Sequence, residues 1–257
     1  MLINSLLLLI EEALPISIAY AYLCSFFHYQ VNHHTSKNHK ITFLLNVTIV
    51  LSLLLGLAFS SIRPTLTNMV EGQAYELALV LFIALFILFV FGGLIASTAR
   101  ISLALLSASL VCIVIPHASD FFVFMQSVFN IDTSTEIYTG ILIGLGICFS
   151  FSYLLYFFCT RVLNHSTFKI LLSLFLAAQI AGALTILEQI GLISSSLPLW
   201  DSNFLISESQ EYGQLLKTIF GYDATPSIEY IAVLAVSIVL TSVFIFKLIP
   251  PQQERKS

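Results

Sequence analysis

Two short clusters of ionisable residues interrupt long apolar runs in this chain. One is Glu11-Glu12-Ala13-Leu14-Pro15, and the other is Pro116-His117-Ala118-Ser119-Asp120. A charge at membrane depth costs several kcal/mol, so side chains of this kind inside a span mark a functional site by default. His117 and Asp120 are three apart and share a helix face. An imidazole beside a carboxylate suits either a metal-ligand pair or a proton relay. Glu11 and Glu12 point about 100° apart on a helix, so only one of them faces a partner squarely. Two carboxylates this close cannot both ionise cheaply in low dielectric, and a bound cation or a shared proton has to offset the charge. Pro15 and Pro116 each remove one backbone hydrogen bond, and in a membrane such an irregularity can line a cavity. The plainer reading is that these polar groups only bond helix to helix.

The elements that must hold the clusters are apolar helices. The 257 residues are 58% hydrophobic and only 9% charged, with a mean hydropathy of +0.97. A soluble domain carries about 25% charged residues, so the expectation is an all-α, polytopic membrane protein. A span needs about 20 apolar residues. Seven segments qualify, at about 2–27, 41–61, 76–98, 101–129, 138–160, 167–193 and 227–249 of a single membrane domain, 1–257. The connection 194–226 is long enough for structure of its own. The N-terminus reads as a retained first span, because no basic residue precedes its apolar run. Cys24, Cys112, Cys148 and Cys159 have no metal-ligand spacing and read as packing residues.

Basic residues set the orientation. Lys37, Lys40, Arg100, Arg161, Lys169, Lys247, Arg255 and Lys256 collect on one side of the seven spans, and only Arg63 and Lys217 on the other. The expectation is an external N-terminus and a cytoplasmic C-terminus, in the plasma or bacterial inner membrane. The two clusters fall in spans one and four, which run in opposite directions. That arrangement suggests a three-plus-three inverted repeat followed by a last helix, with the site near the midplane.

Other polar groups are weaker candidates. His28, His33, His34 and His39 crowd the first cytoplasmic connection and offer an exit site for a metal, or simply a solvated loop. Their spacing, with no Cys, does not make a closed zinc site. Glu208 and Glu211 in the long outer loop offer capture of a cation before entry. Asp201 and Asp223, beside turn residues, read as turn caps. Glu188 is a minor pathway candidate. Gly92-Gly93, Gly140-x-x-x-Gly144, Gly146 and Gly182 mark close helix approaches.

The order Pro198-Leu199-Trp200-Asp201-Ser202, Gly213, Leu215-Leu216, Phe220-Gly221-Tyr222 and Thr225-Pro226-Ser227 resembles the last extracellular loop of the oxidase-dependent iron permeases, including the bacterial EfeU-type transporters. Leu187 to Gly191 resembles the end of that family's sixth span. The family carries an Arg-Glu-Gly-Leu-Glu motif in spans one and four of a seven-span bundle, and its motif glutamates are implicated in iron passage. On this resemblance Glu12 and His117 stand for the first motif glutamates and Asp120 for a second. Pro15 replaces the other, while Glu11 and Pro116 replace the arginines. The register in span one leaves Glu11 as a candidate beside Glu12.

The resemblance implies a transporter rather than an enzyme. It would be an iron permease with no tightly bound cofactor, its substrate the metal ion, its solvent the membrane lipid, and its partner an oxidase or a periplasmic metal-binding protein. No nucleic-acid partner is indicated. An imidazole among the oxygens suits Fe²⁺, Zn²⁺ or Mn²⁺ better than Fe³⁺. The alternatives are a permease for another divalent metal such as zinc or manganese, a non-transporting relative acting as a sensor or assembly subunit, and an intramembrane enzyme or proton-handling subunit.

Overall fold

Long apolar stretches with no water to bond their backbone must pair it internally, and helices do so within each segment. The computed structural model describes residues 2–30, 35–68, 73–128, 134–194, 196–207 and 210–248, and among them every regular element is helical. In chain order these are α1 (Leu2–Gln30), α2 (Thr35–Thr67), α3 (Ala74–Ile95), α4 (Ala99–Val128), α5 (Ser134–Phe157), α6 (His165–Gln189), α7 (Glu211–Phe220) and α8 (Ile228–Leu248). All but α7 are long and apolar enough to cross a membrane. The seven expected spans are therefore seven helices of this bundle.

Boundaries moved where polar residues continue a helix. The second span was expected over 41–61, yet α2 begins at Thr35 and runs through Pro64 to Thr67. Its entry turns take up half of the expected first connection, and α1 takes up His28 to Gln30 at the other edge. A one-turn π segment, Phe158–Val162, finishes α5. The long connection does carry its own structure, in the form of α7. That helix stops at Gly221, whose φ of 69° suits a residue without Cβ.

Half of the apolar window of α1 and of α4 is buried, and nearly half of α6, whereas only 11–17% of that window is buried in α2, α3, α5 and α8. α1, α4 and α6 thus form the interior, and the others surround them. Tyr22 packs against Phe168 and Phe175, and Phe175 against Phe86, locking α1, α6 and α3 together. The most extensive pairings are α1 along α5 and α4 along α2. Small residues allow both. A Cβ on Gly56 would lie 2.5 Å from the Ala118 Cβ, and one on Gly144 would lie 2.8 Å from Leu9. Gly93 approaches Leu106 in the same way, whereas Gly146 and Gly182, also expected at close approaches, face open space. Cys112, Cys148 and Cys159 are buried and Cys24 is half-buried, and none of the four forms a disulfide.

Candidate functional site

α1 and α4 cross in the interior, and each carries its ionisable cluster to the crossing. Pro15 and Pro116 are both inside their helices rather than at an end. The His117 Nδ1 lies 2.7 Å from the Glu12 Oε2. As an N–H it donates to that carboxylate, and the contact joins two side chains 105 positions apart. Their side chains are 28% and 15% exposed, so the pair is largely but not wholly enclosed. Glu11 points outward from the bundle, yet remains within electrostatic range of both.

Asp120 takes different partners. Its Oδ1 accepts from the Arg63 guanidinium at 2.6 Å and from the Tyr75 hydroxyl at 2.5 Å. The Arg63 guanidinium also sits over the Tyr75 ring, 4.3 Å from its centre. Gly56 packs on Ala118, and Arg63 lies two turns further along α2, from where its long side chain reaches back to Asp120. Asp120 is thus a charge-compensated joint between α4, α2 and α3.

Depth follows from helix rise. Glu12 lies about 10 Å from the Ser5 end of its span, and His117 about 14 Å from the Gln126 end, at 1.5 Å per residue. Asp120 is about 9 Å and Arg63 about 6 Å from the same end of the bundle. The core of a bilayer is about 30 Å thick. The Glu12–His117 pair therefore lies a little to the N-terminal side of the middle, and the Asp120–Arg63 joint lies nearer that surface. Within this arrangement Ser119 is fully buried and its hydroxyl has no hydrogen-bond partner.

Among the described residues, no three His, Cys, Asp or Glu side chains converge as a metal-holding group. Glu12 and His117 come together, whereas Asp120 is occupied by Arg63 and Tyr75. His28 stands at the end of α1 with its ring edge-on to Tyr156, and His39 stands in the opening turns of α2. His33, His34 and Glu208 lie outside the described residues, and Glu211 opens α7.

The region between α6 and α8 is held by its own polar bonds. The Leu199 N–H donates to the Pro226 carbonyl and the Ser202 N–H to the Ala224 carbonyl. The Ser196 N–H and hydroxyl both donate to Glu229 Oε2, at 3.1 and 2.7 Å. Glu188, a minor pathway candidate from sequence, accepts from the Ser227 hydroxyl at 3.0 Å and so helps seat α8 on α6. Asp201 and Asp223 close Asx turns by accepting from the Asn203 and Thr225 N–H groups, as their neighbours predicted.

Sequence reasoning missed Arg63 and Tyr75 as members of the site. Arg63 had counted only as one basic residue on the poor side. The available signal was that an arginine at the end of an apolar span requires an acidic or aromatic partner at its own depth.

Compared with family models, curated proteins and solved structures, the chain matches none.

Proposed function

We propose that this chain is a multi-pass permease for a metal cation, iron on the resemblance of its outer loop, with zinc or manganese as the other divalent candidates. The observation that carries this reading is the meeting of Glu12 and His117 between the two interior helices, just off the middle of the bundle. A permeating ion must be bound well enough to enter and weakly enough to leave. One carboxylate and one imidazole, with Glu11 in electrostatic reach, suit a transient site in which the ion keeps part of its water. An arriving divalent cation would displace the proton between Nδ1 and Oε2, so entry would release that proton. The donor set of nitrogen and oxygen favours borderline divalent ions.

An inverted repeat of α1–α3 and α4–α6, closed by α8, is part of the proposal. Its support is the exchange in pairing, α1 along α5 and α4 along α2, which an axis relating the two halves would generate. The basic residues favour an external N-terminus and a plasma or bacterial inner membrane. On the outer side, an oxidase or periplasmic metal-binding protein is the kind of partner the resemblance implies.

One observation favours a second reading. Asp120 is fully engaged by Arg63 and Tyr75, which suits a relative that keeps the fold as a sensor or assembly subunit. Uptake of Fe²⁺, Zn²⁺ and Mn²⁺ into proteoliposomes separates the two. The permease reading expects uptake by the wild type and its loss in Glu12→Gln and His117→Ala, with both variants folded. Uptake no greater than in empty vesicles for all three ions would refute the permease reading.

A further inference from the structure

A cavity of about 760 Å³ lies beside α1, between α2 and α5, away from Asp120 and Arg63. It begins at Ala13, next to Glu12, and ends at His28. From Ala13 to His28 is about 22 Å along the helix at 1.5 Å per residue. Its walls are chiefly Ile16, Ile49, Val50, Leu53, Leu145 and Phe149. α1 and α2 barely pack on one another here. A hydrogen bond of 2.6 Å from the Tyr20 hydroxyl to Asn46 Oδ1 bridges them. Val50, Leu53, Leu145 and Phe149 also face outward from the bundle, so the cavity is a groove open to its surroundings rather than a sealed void.

Length, wall chemistry and charge agree on one occupant. One leaflet of hydrocarbon is about 15 Å deep, so a groove of this length takes an acyl chain and the glycerol region above it. Branched and aromatic side chains line the deep part, which suits methylene groups rather than a hydrated ion. Polar groups gather at the other end, where His28 stands against Tyr156 and Arg161 lies within electrostatic range of the Tyr156 hydroxyl. Arg161 is itself exposed and able to meet a phosphate. Lys37 and Lys40 belong to the chain segment on this same side. We propose that this groove binds one anionic phospholipid, with an acyl chain between α1, α2 and α5 and its headgroup at Arg161 and His28. The proposal stands whether or not the chain transports a metal.

The test uses the full chain in phosphatidylcholine vesicles doped with a phospholipid carrying a diazirine in its acyl chain. The probe is phosphatidylglycerol in one arm and phosphatidylcholine in the other. Photolabelling should concentrate on α1, α2 and α5 residues of the groove and favour phosphatidylglycerol. Arg161→Gln should remove that preference, about fivefold for one basic side chain at an anionic headgroup. Val50→Trp and Leu145→Trp, which fill the groove, should reduce labelling by both probes, while Leu240→Trp on the outer face of α8 should not. Labelling spread evenly around the bundle would overturn the site, and equal labelling by the two probes in the wild type would overturn the headgroup assignment.

Cys24 supplies an independent readout, because it lines the groove. With Cys112, Cys148 and Cys159 changed to Ala, Cys24 should resist a charged thiosulfonate added to either side. Rapid reaction with the charged reagent would mean a water-filled vestibule and would overturn the lipid.

Discussion

The Arg63–Asp120 joint offers the sharpest test of how this bundle tolerates charge. Arg63→Gln leaves the Asp120 carboxylate in the membrane with only the Tyr75 hydroxyl as donor. Breaking a fully buried ion pair costs about 3–5 kcal/mol. Here the two side chains are 28% and 27% exposed, so solvent reaches about a quarter of each and lowers the figure. We expect about 2–3 kcal/mol for Arg63→Gln after that discount. Asp120→Asn should cost less, about 1–2 kcal/mol, because Arg63 keeps its place over the Tyr75 ring and an amide oxygen can still accept. If the two charges hold each other, the double variant should be no worse than Arg63→Gln alone, giving a coupling of about 1–2 kcal/mol. The assay is reversible unfolding in mixed detergent micelles, with helicity as the signal, for the wild type, both single variants and the double variant. Additive losses, with coupling below about 0.5 kcal/mol, would refute the joint. So would a double variant weaker than both singles by their full sum.

Three further outcomes follow from the same geometry. Gly56→Ala should destabilise the bundle by about 1–3 kcal/mol, the usual cost of overpacking, because the new Cβ would lie 2.5 Å from the Ala118 Cβ and 3.1 Å from the Ile115 carbonyl oxygen; adding Ala118→Gly should recover part of the loss in the same unfolding assay. Glu229→Gln should speed proteolytic cleavage within 196–207 while leaving the melting of the span helices almost unchanged, since Glu229 Oε2 is the acceptor that ties Ser196 to α8. Trp200 is the chain's one tryptophan and about half exposed, and the neighbouring Leu199 is bonded to Pro226 just before α8 enters its span; its fluorescence should be quenched by lipids brominated near the glycerol and little by those brominated at the chain terminus, as an aromatic side chain at a membrane interface requires.

The helices were legible because their signal is long and redundant. Twenty apolar residues are hard to misread, and all seven expected spans reappear among the described residues. What the sequence could not give was partner choice. His117 and Asp120 do share a face of α4, but α4 sits between α1 and α2, so residues 60° apart on that face reach different helices. Spacing along one helix says nothing about which neighbours flank it. Arg63 was hidden for a related reason. Hydropathy placed the end of span two at about residue 61, which left Arg63 in a connection, whereas α2 continues through Pro64 and keeps it at membrane depth. A long amphipathic side chain extends its span when its charge finds a partner, and that depends on tertiary structure. The connection 194–226 was easier to read, because Asx turns at Asp201 and Asp223 are local.

Charge compensation changes what the two clusters mean. Taken alone, Glu12, His117 and Asp120 look like three costly groups awaiting a cation. With Arg63 included, the Asp120 charge is already matched, and removing that match to admit an ion would cost about as much as breaking the joint. The Glu12–His117 contact is different in kind, because a proton is all that holds it together and a cation can replace a proton. If an ion passes this bundle, the economical route exchanges at Glu12–His117 and leaves Asp120 in place as the joint that fixes α4 against α2 and α3. That ordering separates the roles: Asp120→Asn should impair stability more than selectivity, whereas His117→Ala should abolish any metal dependence and leave the bundle folded. Transport measured in stable Asp120→Asn protein with unchanged ion preference would support the division, and a changed preference would place Asp120 on the path instead.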